Sequence, residues 1–372
     1  MANSAIVIGA GIVGIATTYH LLKKGYTVTV LEKTHLPIGA SIRNFGMIWP
    51  IGQPLGDKYD LALASKKIWM RLSKEAGFHL NLNGSIHLAY HKDEKNVLEE
   101  FIESNVSMRS VQWLSTAEAY AKSKAINPID LLGGMYSNEE ALVDPREAVL
   151  KLALYIASLP GCTVHFDTPV YSIEENICKG PTGQWQADKI FVCSGSDIAM
   201  LYPGILHQHG TLCELQMMRT GQQPSDYRIG PSLCAGLTLA HYGAFKNLSS
   251  LDQLLKRLGS EHPALIEQGI HVMAAQNEIG EVTIGDSHAY ASHFDPFIRQ
   301  DINDNILNYL KTFCIMPDTK IQSYWKGTYF KLKNGDPYLI YPTSDYTTIV
   351  NGFGGLGMTL SFGAMEKIVS NL

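Results

Sequence analysis

Gly9, Gly11 and Gly14 stand at the spacing G-x-G-x-x-G, and Glu32 follows at about the twenty-residue remove where this pattern carries an acid. Each residue type has a physical reason. Gly9 permits a tight turn, Gly11 lets the backbone approach a pyrophosphate, and Gly14 lets a helix pack closely on a strand. The helix that begins among Ala10, Ile12 and Val13 offers free N–H groups and partial positive charge to phosphates. Glu32 can accept hydrogen bonds from ribose hydroxyls, and its charge would repel a 2′-phosphate, which disfavours NADP. A glycine triplet alone is also an ordinary tight turn. Here the flanks decide: residues 5–8 form a short apolar run, a helical stretch continues to Lys24, Gly25 ends it, and residues 27–31 read as a second strand ending at Glu32. This order makes the unit a site for the ADP half of a dinucleotide, with FAD and NAD not yet separated.

A second cluster lies near the far end of the chain. Gly354, Gly355, Leu356, Gly357, Met358 and Thr359 follow strand-like residues 346–350 and precede a helical stretch, 360–370. A helix N-terminus there could stabilise negative charge, such as that on the N1–C2=O edge of a reduced flavin. By itself this is a glycine-rich turn. Paired with the first unit, it points to a large cofactor held from both ends of the sequence, and so to FAD.

The chain has 372 residues, enough for two core-bearing units. Hydrophobic residues make up 45% and charged residues 17%, the balance of a folded protein rather than a disordered one. A formal charge of −5 argues against broad nucleic-acid binding. The six cysteines are scattered without paired spacing, which gives neither a disulfide framework nor a zinc pattern, so no metal and a reducing, cytoplasmic compartment are expected. Residues 5–22 are apolar, but Gly9, Gly11, Gly14 and His20 interrupt them and a strand follows, so neither a signal peptide nor a membrane span is expected.

Between the two junctions the pattern alternates. A helix carrying Leu61, Ala64, Ile68 and Leu72 on one face precedes a strand over 86–90, and 93–111 reads as a charged surface helix with its connection. Asp144-Pro145 opens a helix reaching about Ser158, and strands are expected over 164–166, 184–187, 189–193, 214–219 and 281–284. Residues 249–258 read as an amphipathic helix. Ser194 and Gly195 form a small-residue turn at a strand's C-terminal end, where doubly wound sheets place ligands. The expected fold is α/β: a Rossmann-like cofactor domain from 1–82, 140–210 and 321–372, interrupted by an α+β substrate domain with a mixed or antiparallel sheet from 83–139 and 211–320.

Several further stretches carry a family resemblance: Val7 to Gly14 with Glu32 and Lys33, the loop Ser41-Ile-Arg43-Asn44-Phe-Gly46, residues 83–88, residues 187–195, residues 284–287, Trp325-Lys-Gly327 and residues 354–358. The chain resembles the D-amino-acid oxidase/glycine oxidase/sarcosine oxidase superfamily of FAD enzymes. Residues 43–50, 215–220 and 241–242 are similar to a bacterial branch associated with phosphonate catabolism, linked to oxidation of 2-aminoethylphosphonate or its N-methyl form. The resemblance implies a glutathione-reductase-like FAD domain and oxidation of a small amine, with or without an anionic group, by hydride transfer to flavin N5. Imine hydrolysis would follow, with reoxidation by O2 or another acceptor. It adds Lys33, Ser41, Arg43, Asn44, Gly46, Met47, Val170 and Gly327 to the cofactor residues. Gly327 stands where covalently flavinylated relatives have a cysteine, so FAD is expected to be non-covalent. Thr283 stands where an oxygen-activating lysine is found, and Tyr329 where amino-acid oxidases carry the arginine that clamps a carboxylate.

Four residues are candidates for the substrate side. Arg219, in an apolar strand, is an anchor for an anionic group or an ordinary ion pair. Trp49 and Tyr242 would wall the pocket or pack in the core. Tyr329 has its matched position. His241 and His288 could handle protons near neutral pH, although lone histidines are commonly structural. An NAD-linked dehydrogenase and a non-catalytic FAD-binding subunit or redox sensor are the alternative readings.

Overall fold

A computed structural model describes residues 3–372. Strand β1 (Ser4–Ile8) pairs in parallel with β2 (Thr27–Leu31), Ile6 opposite Thr29, and helix α1 (Ile12–Lys23) connects them. Gly9 adopts φ +102°, and a side chain there would meet the Cys193 carbonyl oxygen at 2.7 Å. The approach at Gly14 is closer: a Cβ would stand 1.9 Å from the Gly9 carbonyl oxygen. The turn therefore admits no side chain at either position.

The two strands lie within a six-stranded sheet ordered Leu339–Pro342, Thr347–Asn351, Lys189–Val192, β1, β2, Cys162–His165. All neighbours are parallel except the edge pair formed by Leu339–Pro342 and Thr347–Asn351. Ala5 and Val7 face a core shared with Ile15 of α1, Trp69 of the helix Asp57–Ala76, Leu152 of Pro145–Ser158 and Phe362 of Gly357–Ser370. Ile6 and Ile8 face another core with Cys178, Ile205 and Phe330. Burial on both faces explains the unbroken apolar run of β1.

A second, nine-stranded sheet is mostly antiparallel. Its axis is the long strand Gly210–Gln222, paired on one side with Ile321–Leu332 and on the other with Glu281–Gly285 and Ala289–Ala291. Together the two sheets give the expected α/β architecture with a mixed second sheet.

Some expectations shift. Residues 321–332, assigned to the cofactor unit, hydrogen-bond into the second sheet instead. The reason is that this strand serves both cores: it pairs with Gly210–Gln222, while Phe330 and Leu332 pack beneath the first sheet. The strand expected over 214–219 is longer because it has partners on both edges. The helix Lys92–Asn105 is less superficial than its charge suggested, since Asp93 and Glu94 are buried against Arg257 at 2.7 and 2.8 Å. Among the described residues, no helix is long and apolar enough to cross a membrane. All six cysteines are free.

Candidate active site

The two glycine junctions open on one cavity of about 760 Å³. Gly9, Gly11, Ile12, Val13, Glu32 and Lys33 line it from the first unit, and Gly354, Gly355, Leu356, Gly357, Met358 and Thr359 from the second. Ser41, Arg43, Asn44, Met47, Val170, Ser194, Gly195 and Gly327 line it as well. Ala10, Gly14 and Gly46 do not, and each acts from behind the wall. The Ala10 N–H donates to the Glu32 carboxylate at 2.8 Å, Gly14 abuts the Gly9 carbonyl, and the Gly46 N–H donates to Asn44 Oδ1 at 2.7 Å.

The loop after β2 is built by its own polar groups. Asn44 Nδ2 donates to the Ala40 and Ser41 carbonyls, both at 2.9 Å, and Ser41 Oγ accepts from the Ile12 N–H at 2.9 Å. Asn44 thus shapes the loop, and Ser41 ties it to the start of α1. Neither α1 nor the helix Gly357–Ser370 has a side-chain cap from its N-cap residue, Gly11 and Leu356 respectively. Two helix N-termini without such caps on one elongated cavity suit a cofactor that carries a pyrophosphate and a ring accepting negative charge. The buried Glu32 carboxylate also accepts from the Thr34 N–H at 3.0 Å and hydroxyl at 2.7 Å, which holds it at the strand end. These residues fit FAD.

Trp49, Tyr242 and Tyr329 line the same cavity. The Trp49 and Tyr242 rings lie 6.1 Å apart, tilted by 36°. A Cβ on Gly355 would stand 3.4 Å from the Tyr329 hydroxyl, so this phenol reaches the second glycine junction. Burial pushes the Tyr242 and Tyr329 phenols well above their ordinary range, which keeps both as neutral donors. At Gly327 a Cβ would meet the Arg43 carbonyl oxygen at 2.9 Å.

Arg219 is a correction: it does not line the cavity. Its Nη1 lies 3.5 Å from Glu281 and 3.9 Å from Asp144, and its guanidinium lies over the Trp325 ring. The side chain is buried, and desolvation, opposed by Asp144 and Glu281, pulls its pKa below the usual value. An ion pair occupies the group that was expected to anchor an anionic substrate. Thr283 likewise lies outside the cavity wall and accepts from Arg219 Nε at 3.0 Å.

The structure adds His271 to the histidines named from the sequence. His241 and His288 line the cavity together with His271 and Asp286. Asp286 Oδ1 lies 3.0 Å from His271 Nε2 and 3.7 Å from His288 Nδ1. Burial opposes ionisation of Asp286, but His288 and His271 hold its pKa below the ordinary carboxylate value. Burial, together with the neighbouring imidazoles, pushes His241 well below its usual range, and burial lowers His288. No local spacing announces this group, because its members come from separate elements. His241, His288 and Asp286, the last within the 284–287 stretch, were visible in the sequence, and His271 was not.

Comparison with known proteins shows the fold and the family. Glycine oxidase of Bacillus licheniformis is 28% identical over 202 residues, covering 51% of this chain and 53% of that protein. Human mitochondrial sarcosine dehydrogenase is 30% identical over 182 residues, covering 46% of this chain and 19% of that protein. The chain therefore spans about half the glycine oxidase and a smaller part of the dehydrogenase. The crystal structure of glycine oxidase from Bacillus cereus superposes with a TM-score of 0.79 at 16% identity, covering 99% of this chain and 94% of that one, which shows a shared fold. Residues 4–369 match the DAO family, described as FAD dependent oxidoreductase, and the chain belongs to that family.

Proposed function

We propose that the protein oxidises the C–N bond of a small primary or secondary amine: an amino acid, an N-methyl amine or an aminophosphonate. The observation that carries this reading is the union, in one cavity, of both glycine junctions with a pocket walled by Trp49, Tyr242 and Tyr329. Bound FAD supplies the two-electron acceptor for the hydride. The chain's own part is to bind, orient and dry the substrate. Trp49 and Tyr242 present aromatic walls, and the neutral Tyr329 hydroxyl can donate to a substrate acceptor beside Gly355. Among the described residues Arg43 is the arginine on the cavity wall, and it is exposed, with Nη1 donating to the Lys326 carbonyl at 3.3 Å. That arrangement favours a substrate other than a plain α-amino acid held by a buried guanidinium. The amine loses a hydride and a proton to become an imine, water hydrolyses the imine to a carbonyl compound and a free amine, and O2 takes the two electrons to give peroxide.

The test is anaerobic bleaching of the bound flavin with glycine, sarcosine, D-alanine, 2-aminoethylphosphonate and its N-methyl form, followed by peroxide measurement in air. Bleaching by at least one amine is expected, with the aminophosphonates ahead of the amino acids. Flavin that no amine reduces would overturn the reading in favour of a non-catalytic FAD-binding subunit.

A further inference from the structure

Three imidazoles meet on the cavity wall. His241 is the last residue of the short helix Gly236–His241, His271 leads into the strand Met273–Gln276, and His288 follows the strand Glu281–Gly285. One ring nitrogen from each lies within 4.8 Å of the other two, and the His241 and His271 ring centroids are 3.8 Å apart. Rings this close turn their nitrogens toward a common point, the arrangement a single bound cation requires.

Two of the rings have an oxygen close to one nitrogen. His288 Nδ1 lies 3.2 Å from the Gly269 carbonyl oxygen, and His271 Nε2 lies 3.0 Å from Asp286 Oδ1. That leaves His271 Nδ1, a buried atom without a hydrogen-bond partner among the described residues. Asp286 Oδ1 is also buried and, although close to His271, receives no well-aligned hydrogen bond. The result is three imidazoles with a carbonyl and a carboxylate behind them. Metal-ligating histidines are held by backing groups of this kind. A cation bound there would meet imidazole lone pairs and the Asp286 carboxylate.

We propose that His241, His271 and His288 form a site for one divalent transition cation of the zinc class, with Asp286 as a positioning residue and a further coordination place open to the cavity. Zn–N bonds of about 2.0–2.1 Å put tetrahedral ligand nitrogens about 3.4 Å apart. From the 4.8 Å limit, the three nitrogens need to close by at most roughly 1.4 Å, a displacement that side-chain torsions supply. An oxygen of an anionic substrate group could take the open place. That consequence rests on the substrate reading above, while the cation site does not.

The experiment uses the FAD-loaded protein, stripped with a chelator and titrated with Co2+ and then Zn2+ by calorimetry and visible absorption. One Co2+ per chain is expected, with ligand-field bands to the red of the flavin absorption, displaced by Zn2+. His271→Ala and His288→Ala should each weaken binding at least tenfold with the flavin bands retained, and Asp286→Asn should weaken it about 10–100-fold. Wild-type protein that shows no saturable Co2+ binding would overturn the site, whatever the variants do. So would stoichiometric binding left unchanged in both histidine variants, which would make the cluster a packed set of neutral rings. Metal binding and amine-dependent bleaching are read separately, so either proposal can fail while the other stands.

Discussion

Arg219 Nε donates to Thr283 Oγ1 at 3.0 Å, across two antiparallel strands in which these residues are direct partners. Arg219, in its apolar strand, reads from sequence as an anion anchor or an ion pair, and Thr283 stands where relatives carry an oxygen-activating lysine. The structure joins them to each other, with Asp144, Glu281 and Arg146 completing the charge balance. Asp144 caps the helix Pro145–Ser158 beside the first sheet, whereas Arg219 and Glu281 belong to the second, so the cluster links the two sheets.

Arg219 is therefore a stability residue. Arg219→Ala should leave KM for an anionic amine within about threefold of wild type and lower the unfolding free energy by about 1–3 kcal/mol, through the lost packing on Trp325 and the lost Thr283 bond, while Arg146 still pairs with both carboxylates. Urea denaturation and steady-state kinetics on the same preparation check both halves. A large rise in KM with unchanged stability would return Arg219 to the substrate site.

Glu140 should make stability depend on pH. It is fully buried, accepts from Ser85 Oγ at 2.9 Å and the Ile51 N–H at 3.1 Å, and burial raises its pKa from 4.5 to about 7. The native state keeps a proton that the unfolded chain releases above its lower pKa. The stabilisation is fully present below about pH 4.5 and is lost as pH rises through about 7, a contribution of about 3 kcal/mol. Glu140→Gln keeps an acceptor for Ile51, while Ser85 can accept from the new amide. It should raise stability at pH 8 and flatten this part of the pH profile in denaturation midpoints.

Gly52 spaces the aromatic walls. A Cβ there would stand 2.7 Å from both Trp49 Cδ1 and Tyr242 Cδ1. Gly52→Ala should push these rings apart, costing about 1–3 kcal/mol in overpacking. Amine KM should rise about tenfold while the flavin absorbance remains. Unchanged KM would remove the two rings from the substrate pocket.

The flavin should be released without bond cleavage. A side chain at Gly327 would press on the Arg43 carbonyl at 2.9 Å, so glycine suits this close approach and supplies no thiol. Acid precipitation should leave the yellow cofactor in the supernatant. Flavin retained in the washed pellet would show a covalent link elsewhere.

Much of the cofactor unit was legible because its signals are local. A strand, a glycine turn and a helix are specified by neighbours a few residues apart, and β1, α1, β2 and the helix Gly357–Ser370 all follow from such signals. The substrate side was less legible. Trp49, Tyr242 and Tyr329 were named and do line the cavity, but Arg219 was misplaced and His271 was not singled out. In an extended strand a side chain's role depends on what pairs beside it, and no short-range pattern specifies that partner.

The sequence by itself determined the glycine turn from Gly9 to Gly14, the acid at Glu32 and the second junction at Gly354–Thr359. Steric limits on the backbone at those turns leave few other ways to fold them. Only the tertiary structure decided that Ile321–Leu332 serves both cores, that Arg219 spends its charge on Asp144 and Glu281, and that His241, His271 and His288 meet at Asp286. Those outcomes depend on partners brought together by long-range strand pairing and burial. Their energies belong to the assembled core rather than to any one segment.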